Sequence, residues 1–211
     1  FNKCILKFKK IMKLVFASNN QHKLEEVRKI LPSTIEVVSL HDIGYLSEID
    51  ETGETLEENS LIKARTIWEW LNLQTLAIDG VFADDTGLEI DALHGHPGVR
   101  SARWAGEPSN DANNRKKVLS DLGDQTNRSA RFRTVITWIG KDHTTQVEGI
   151  VEGDITYEEC GTGGFGYDSI FIPKGYTETF ATLSPETKNS ISHRGRAMQA
   201  LRKSIEKNSN L

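Results

Sequence analysis

The chain opens with a strand pattern, a helix pattern and a second strand pattern in close succession, and this order constrains its fold more than any other feature. Residues 13–17 form a short apolar run, which is typical of a buried strand. Apolar residues then recur at helical spacing through 24–31, and the pattern stops before Pro32. Residues 35–40 form a second strand pattern. Strand, helix and strand in this order predict an α/β unit.

The later segments extend this unit into a mixed sheet with helices on its faces. Thr55 and Glu58 form a capping-box pattern that opens a second helix. Two β-rich runs at 132–139 and 146–151, separated by a polar turn, predict a hairpin of long, twisted strands. Residues 198–205 carry apolar side chains on one face of a last helix.

The middle of the chain predicts shorter elements. A strand runs through 77–78, an acidic turn follows at 84–87, and an alternating strand covers 88–92. A glycine-rich loop at 161–166 precedes a strand at 169–172. We therefore predict an α/β fold with a mixed, strongly twisted central sheet flanked by helices. A chain of 211 residues suits one domain, undivided or in two lobes.

Composition excludes several classes of protein. A net charge of -4 provides no general basic face for a nucleic acid polymer. No window approaches 18 apolar residues, so we expect no membrane span. Cys4 and Cys160 form no CxxC pair and have no His at ligand spacing, which argues against a zinc site or disulfide framework and fits a reducing cytoplasm.

The first eleven residues differ from the rest of the chain. Four lysines interrupt their apolar residues, and no small-residue cleavage site follows, so they do not fit a signal peptide. Met12 opens the first strand pattern. We therefore expect 1–11 to be an extension and 12–211 to form the domain.

The first strand pattern runs into Ser18-Asn19-Asn20-Gln21-His22-Lys23. A strand that ends in small polar residues and passes into a helix builds an anion site, because free N–H groups and the positive end of the helix dipole point at the ligand. Lys23 adds a full positive charge. The alternative is ordinary helix capping, since neither a Walker loop nor a dinucleotide fingerprint is present.

Asp84 and Asp85 are consecutive in the sequence and directly follow an apolar run. Adjacent carboxylates repel each other and resist desolvation, but a hard cation relieves both problems. Mg²⁺ typically takes one or two carboxylates together with phosphate oxygens and water. The alternative is a plain Asp-Asp-Thr-Gly turn. A second acidic group around Thr52-Gly53 belongs mostly to a solvated loop and helix start, and one of its members is a candidate to complete a metal site.

Two further segments carry binding chemistry. Residues 161–168 combine flexible glycine backbone with Phe165, Tyr167 and Asp168, which suits base stacking and base-edge hydrogen bonding. The alternative is a turn that packs its aromatic rings into the core. Lys188 and the segment 190–195 bring three basic groups to a helix start, where cations indicate a bound anion.

These segments, in this order, resemble the inosine triphosphate pyrophosphatase family, which hydrolyses inosine and xanthosine triphosphates to the monophosphate and pyrophosphate. The resemblance runs from Lys13 to about Arg202. The matching segments are Ser18-Asn19-Asn20 with Lys23, Glu51-Thr52-Gly53 with Glu58-Asn59, 82–88, 97–103, 161–168 and 190–195. The first loop reads Ser-Asn-Asn where relatives often have Thr-Gly-Asn, and both provide the same donors.

The resemblance implies a two-lobed domain with the active-site cleft between the lobes, a Mg²⁺ cofactor and a homodimer that cleanses the cytoplasmic nucleotide pool of ITP, dITP and XTP. It makes Asp85 the catalytic carboxylate and a metal ligand, with Asp84 as a further candidate ligand. Glu51 is assigned as the loop ligand, although Asp50 lies beside it where the family commonly has Glu. The implied substrate-binding residues are Ser18, Asn19, Asn20, Gln21, His22, Lys23, Thr86, Phe165, Gly166, Tyr167, Asp168, Lys188, His193 and Arg194.

Two other functions remain open from the sequence. One is a related pyrophosphatase for modified pyrimidine or canonical nucleotides, of the septum-inhibitor-like kind, although such relatives lack the run at 161–168. The other is a nucleotide-binding regulator without catalysis. Trp68, Trp70 and Trp104 are candidates either for a dimer interface or for the core.

Overall fold

The computed structural model describes residues 11–208, so the expected extension at 1–11 lies outside the described residues except for Ile11. Within that range the chain forms seven strands and five α-helices. The strands are β1 (Met12–Phe16), β2 (Ile35–Ser39), β3 (Gly80–Ile90), β4 (Pro97–Gly98), β5 (Ser129–Gly140), β6 (Thr144–Ile155) and β7 (Phe171–Pro173). The helices are α1 (Gln21–Ile30), α2 (Leu56–Leu71), α3 (Asp111–Leu122), α4 (Pro185–Ile191) and α5 (His193–Asn208).

The strands form one mixed sheet in the order β2-β1-β3-β5-β6-β7, and β4 pairs with β3. Strand β1 is parallel to both β2 and β3, and the other pairs are antiparallel. Helix α1 connects the parallel strands β1 and β2, as the opening pattern of the sequence predicts. The prediction of an α/β fold with a mixed sheet is therefore confirmed.

The predicted acidic turn at 84–87 is wrong. Asp84 and Asp85 lie in the middle of β3, which continues from Gly80 to Ile90 without a break. All eleven residues of β3 pair with β5, so the strand pairing continues before, through and after the acidic pair. Strand β1 ends earlier, because it pairs only with 80–82. The carboxylates consequently lie just beyond the carboxyl end of β1, although they are inside a strand.

Successive side chains of β3 point to opposite faces of the sheet. Phe82 packs in a core cluster with residues of α1 and α5. Val81 and Ala83 pack in another cluster with residues of α2. Asp84 therefore points toward α1 and α5, whereas Asp85 points toward α2.

Other features predicted from local sequence patterns are present in the structure. Thr55 and Glu58 form the predicted capping box of α2, with both reciprocal hydrogen bonds present. The hairpin of β5 and β6 is confirmed and its strands are longer than predicted. The predicted strand at 169–172 is shorter: a 3-10 turn covers Asp168–Ile170, and β7 begins only at Phe171.

The three tryptophans considered for an interface are all half-buried. Trp68 and Trp70 pack against the cluster between α2 and the sheet. Trp104 packs against a third cluster, formed mainly by α3, the hairpin and β7. Core packing thus accounts for part of each ring. Within residues 11–208, no helix has the length and apolar character needed to cross a membrane.

Close contact between α5 and the hairpin fixes the start of that helix. Gly149 of β6 lies directly beneath it, and a Cβ added there would overlap the carbonyl oxygen of His193 and the backbone nitrogen of Ala197. Because both overlapping atoms belong to the backbone, a larger residue would displace the helix itself. His193 and Arg194 therefore depend on Gly149 for their position.

We expect Gly149→Ala to lower the free energy of unfolding by about 1–3 kcal/mol, as overpacking against an immobile backbone does. Urea denaturation monitored by tryptophan fluorescence measures this change. Glu152→Ala, on an exposed position of the same strand, should stay within about 0.5 kcal/mol of the wild type. Equal stability of the two variants would contradict the close packing.

Candidate active site

A cavity of about 310 Å³ opens where β1 and β3 meet the helices and the glycine-rich loop. Its size suits a small ligand. The cavity brings together residues that are far apart in sequence, including most of those singled out above. Its lining consists of Ala17, Ser18, Asn19, Asn20, Lys23, Ile49, Glu51, Lys63, Asp85, Thr86, Leu88, Val99, Ser101, Ala102, Arg103, Asp111, Phe132, Phe165, Gly166, Tyr167, Asp168, Lys188, His193 and Arg194.

Asp84 is fully buried behind this cavity, between two cations. Lys23 of α1 donates to its Oδ1 at 3.1 Å, and Arg194 of α5 donates through Nε to its Oδ2 at 3.2 Å. Thr86 also donates to Oδ2, at 3.3 Å. Burial raises the pKa of Asp84, but the two cations outweigh it and hold the pKa well below its usual range. Both oxygens are engaged, so the arrangement does not favour Asp84 as a metal ligand.

The cations beside Asp84 continue into a longer chain of ion pairs. Arg194 also pairs with Glu26 of α1. Glu26 accepts from Lys188 of α4 at 2.9 Å, and Lys188 donates to Asp168 at 2.7 Å. We call these four residues, together with Lys23 and Asp84, the Asp84 network. It contains three cations and three carboxylates, so its formal charges cancel.

The network gives a second explanation for the basic groups at the start of α5. The sequence indicated a bound anion, since cations are unfavourable at a helix start. The carboxylates of Asp84, Glu26 and Asp168 compensate the charges of Lys188 and Arg194 without any ligand. These partners come from other elements, so the helix-start argument does not by itself establish an anion site.

Asp85 belongs to a separate group, the Lys63 cluster, formed by Lys63, Asp85 and Glu51. The Nζ of Lys63 lies 3.1 Å from Asp85 Oδ1 and 3.2 Å from Glu51 Oε1. Burial lowers the pKa of Lys63, but the two carboxylates outweigh it and raise the pKa. Burial raises the pKa of Asp85. Two carboxylates share one cation here, so the cluster has a net charge of −1.

The Lys63 cluster fits a divalent cation. Asp85 Oδ2 is buried and has no hydrogen-bond partner among the described residues. A second carboxylate, Glu51, forms an ion pair with the same lysine. Within residues 11–208 no cage of three or more His, Cys, Asp or Glu side chains occurs, and Mg²⁺ does not need one because it usually retains several waters and binds substrate phosphates. Of the acidic candidates, Glu51 lines the cavity, whereas Glu54 lines a separate groove along α2.

The loop before α1 serves as both a helix cap and a cavity wall. Asn20 caps α1, because its Oδ1 accepts from Lys23 N at 3.1 Å. Ser18 accepts from Asn20 N at 3.2 Å. Ser18, Asn19, Asn20 and Lys23 line the cavity, and the first turn of the helix points its N–H groups to this end. Gln21 and His22 are not among the lining residues; the His22 ring instead stacks on Phe165 at 5.4 Å.

The glycine-rich loop presents Phe165 at the cavity and folds around Asp168. Asp168 Oδ2 accepts from Phe165 N at 2.8 Å as well as from Lys188. Gly164 has a φ of +72°, and a Cβ there would overlap this carboxylate, so the tight loop requires glycine. Tyr167 is buried and donates its hydroxyl to Ser101 O at 2.6 Å. Phe165 is the less buried aromatic ring of the pair.

His193 forms the buried floor between the loop and the hairpin. Its ring stacks on Phe132 with centroids 4.6 Å apart. Burial lowers the pKa of His193 well below its usual value, so the ring is neutral. Its Nδ1 is buried without a hydrogen-bond partner among the described residues. His193 is therefore not a solvated surface residue.

Sequence reasoning missed several residues at this cavity. Lys63 falls in the stripe of α2 that buries Ala64 and Ile67, and a lysine in an apolar stripe indicates a buried partner. Glu26 carries no comparable signal, because its partners lie more than 160 residues away. The wall at 99–103 was matched as a segment but given no role.

The sequence of this chain matches a known protein family over most of its length. The model of the Ham1 family matches residues 14–204. The chain belongs to the Ham1 family. A dITP/XTP pyrophosphatase from Flavobacterium psychrophilum is 48% identical over 190 residues, covering 90% of this chain and 97% of that protein. The resemblance identified from the sequence is thereby confirmed.

Solved structures agree with the Ham1 assignment. The Staphylococcus aureus Ham1 protein matches with a TM-score of 0.81 and 40% identity, over 92% of this chain and 98% of that one. A HAM1 protein from Coxiella burnetii matches with a TM-score of 0.82 and 37% identity, over 93% and 99% of the two chains.

We expect Asp84→Asn to lower the free energy of unfolding by about 3 kcal/mol at neutral pH, because Lys23 and Arg194 lose their shared buried counter-charge. The folded pKa of Asp84 is lowered, so its stabilisation is present above its ordinary pKa and is lost as the pH falls. The difference between variant and wild type should therefore shrink below about pH 4.

Denaturant titrations at several pH values measure this difference. Glu206→Gln, which removes an exposed pair with Arg202, should cost less than about 1 kcal/mol. A difference between Asp84→Asn and wild type that does not change with pH would contradict the ion-pair explanation.

Proposed function

We propose that this protein hydrolyses the non-standard purine nucleoside triphosphates ITP, dITP and XTP to the monophosphate and pyrophosphate. The observation that carries the proposal is the Asp85 carboxylate, which lines the cavity in a cluster of net negative charge and keeps one buried oxygen without a partner. The Flavobacterium psychrophilum relative named above is a dITP/XTP pyrophosphatase of nearly the same length.

In this proposal the triphosphate lies against the start of α1. The Lys23 ammonium and the loop residues Ser18, Asn19 and Asn20, which line the cavity, bind phosphate oxygens there. Asn20 also caps the helix, because its side chain accepts from Lys23 N and so fixes the start of α1. Lys23 stabilises the negative charge that grows on the departing pyrophosphate.

The reaction is the attack of water on the α-phosphorus. A bond forms between the water oxygen and phosphorus, the bond to the bridging oxygen breaks, and pyrophosphate leaves with the electron pair. Asp85 orients this water through Oδ2, which has no other partner among the described residues, and relays its proton to solvent. As a metal ligand the carboxylate is too weak a base to retain that proton. Asp84 does not take that part, because its oxygens are held by Lys23 and Arg194.

Mg²⁺, held by Asp85 and Glu51, would neutralise phosphate charge and polarise the phosphoryl group. The unpaired charge of the Lys63 cluster supports this cofactor. Lys63 keeps the two carboxylates together and limits their repulsion.

Base selection falls to the other end of the cavity. The 6-keto oxygen of inosine and xanthosine accepts a hydrogen bond, whereas the 6-amino group of adenosine donates one. Lys188 and Arg194 lie over the Phe165 ring, and His193, whose buried Nδ1 has no partner among the described residues, also lines the cavity. A mismatch there leaves a buried polar group without a partner, which discriminates strongly. Phe165 stacks on the base.

We further propose that 12–211 form one two-lobed domain with the cavity as the cleft between lobes. One lobe holds the clusters packed on α1, α2 and α5, and the other holds the cluster of α3, the hairpin and β7. Residues from both lobes line the cavity. A strongly twisted sheet, a homodimer and a cytoplasmic location remain predictions from the sequence.

A nucleotide panel tests the activity. We expect equimolar monophosphate and pyrophosphate from ITP, dITP and XTP, with kcat/KM at least about 100-fold above that for ATP or for pyrimidine triphosphates. EDTA should abolish the reaction. Preference for modified pyrimidines or canonical nucleotides would favour the septum-inhibitor-like alternative. Binding of ITP without pyrophosphate release at saturating Mg²⁺ would favour a regulator.

Asp85→Asn tests the catalytic assignment. We expect the loss of at least about 2–3 kcal/mol of transition-state stabilisation, which is roughly two decades in rate, because the amide neither accepts a proton nor carries the charge. Steady-state release of pyrophosphate from ITP measures the rate. Asp50→Asn, at the exposed neighbour of Glu51, should retain it. Near wild-type turnover in Asp85→Asn would remove this residue from the mechanism.

A further inference from the structure

Two side chains of helix α3 bind the backbone of one residue in the glycine-rich loop, Gly166. Asp111, in the first turn of α3, accepts from Gly166 N at 2.8 Å through Oδ2. Arg115, one turn later, donates from Nη1 to Gly166 O at 2.8 Å. Gly166 has a φ of +61°, a conformation that favours glycine. The two side chains therefore bind the backbone donor and acceptor of the residue between Phe165 and Tyr167.

Arg115 is itself held in place by the other end of the loop. Its Nε donates to Glu159 at 2.7 Å, and the same Glu159 oxygen accepts from Ser169 Oγ at 3.0 Å. Glu159 and Ser169 flank the loop, so Arg115 connects both ends of the loop to Gly166 at the tip of the loop. A guanidinium that makes two oriented contacts is fixed in direction, which a lysine ammonium would not be.

A third contact joins the loop to the segment 99–103, which forms part of the cavity wall. Tyr167 donates to Ser101 O at 2.6 Å, and Ser101 lies in the wall at 99–103. Consecutive residues of the loop, Gly166 and Tyr167, are thus bound to α3 and to the segment that precedes it. Asp111, Ser101 and Tyr167 all line the cavity, so these contacts lie at its wall.

We propose that Asp111 and Arg115 are positioning residues that set the selectivity of the cavity for the base, a role that rests on the proposed function. They act through Gly166 by fixing the distance between the Phe165–Asp168 segment and the wall at 99–103. The base lies against Phe165 beside the contact between the two segments, and the hydrogen-bond match to its 6-position depends on where they are held. Within residues 11–208, no hydrogen bond or ion pair joins Asp111 or Arg115 to Lys23 or to the Lys63 cluster, so the chemical step does not depend on this pair.

The test compares Asp111→Ala and Arg115→Ala with wild type on ITP and ATP. Loss of the contacts to Gly166 lets the loop move, so we expect KM for ITP to rise about tenfold while kcat stays within about twofold. The ratio of kcat/KM for ITP to that for ATP should fall about tenfold. The affinity for ITP, measured by calorimetry with Ca²⁺ in place of Mg²⁺, should fall in parallel with the rise in KM.

Matched variants separate positioning from general destabilisation. Asp111→Asn retains an acceptor oxygen for Gly166 N and should restore the wild-type KM, whereas Arg115→Lys, which lacks the two oriented contacts, should not. Lys116→Ala removes an exposed cation from the same helix and should leave KM and selectivity unchanged. Thermal denaturation identifies any variant that fails to fold, and the conservative variants then provide the comparison.

The outcomes distinguish this proposal from the proposed function. If wild type releases pyrophosphate from ITP selectively and Asp111→Ala keeps both KM and selectivity, the positioning role is overturned while the activity stands. If kcat falls and KM does not, the pair affects the chemical step and the proposal is likewise overturned. If wild type shows no selectivity for ITP, the proposed function fails first.

Discussion

The burial of Asp84 between Lys23 and Arg194 is the interaction on which the cavity depends. A fully buried carboxylate is costly unless it is paired and hydrogen-bonded. Its two partners come from α1 and α5, at separations of 61 and 110 residues from Asp84. Both helices must therefore lie against the same face of β3. Glu26, Lys188 and Asp168 extend the requirement to α4 and the glycine-rich loop. Charge compensation thus fixes the elements that surround the cavity.

Strand geometry gives the two neighbouring carboxylates opposite properties. Asp84 and Asp85 point to opposite faces of β3, so they do not share an environment despite their adjacency. Asp84 meets two cations and its pKa is lowered, whereas Asp85 shares one lysine with Glu51 and its pKa is raised. The first residue holds the fold around the cavity, and the second retains an oxygen that has no partner among the described residues. A turn at this position would not have separated the two side chains in this way.

The sequence predicts what is local and misses what is distant. The capping box of Thr55 and Glu58 and the hairpin of β5 and β6 follow from residues close in the chain, and both are confirmed. The prediction of a turn at the acidic run fails because the partners that stabilise Asp84 and Asp85 lie on helices distant in the chain. The order of the motifs identified the family, and most residues assigned to the site do line the cavity. Lys63 was visible as a lysine in an apolar stripe of α2, but its role required the position of Asp85.

The balance of charge within the cavity determines which anion fits it. The Asp84 network is formally neutral, so its cations are already compensated before a ligand arrives. The Lys63 cluster carries one carboxylate more than it has cations. A bare triphosphate would bring its negative charge toward Asp85 and Glu51 and be repelled. A triphosphate that arrives with a divalent cation supplies the missing positive charge at that position. Under the proposed function, the carboxylates therefore disfavour the metal-free anion and favour the metal complex, so the charge of the site itself selects the complex.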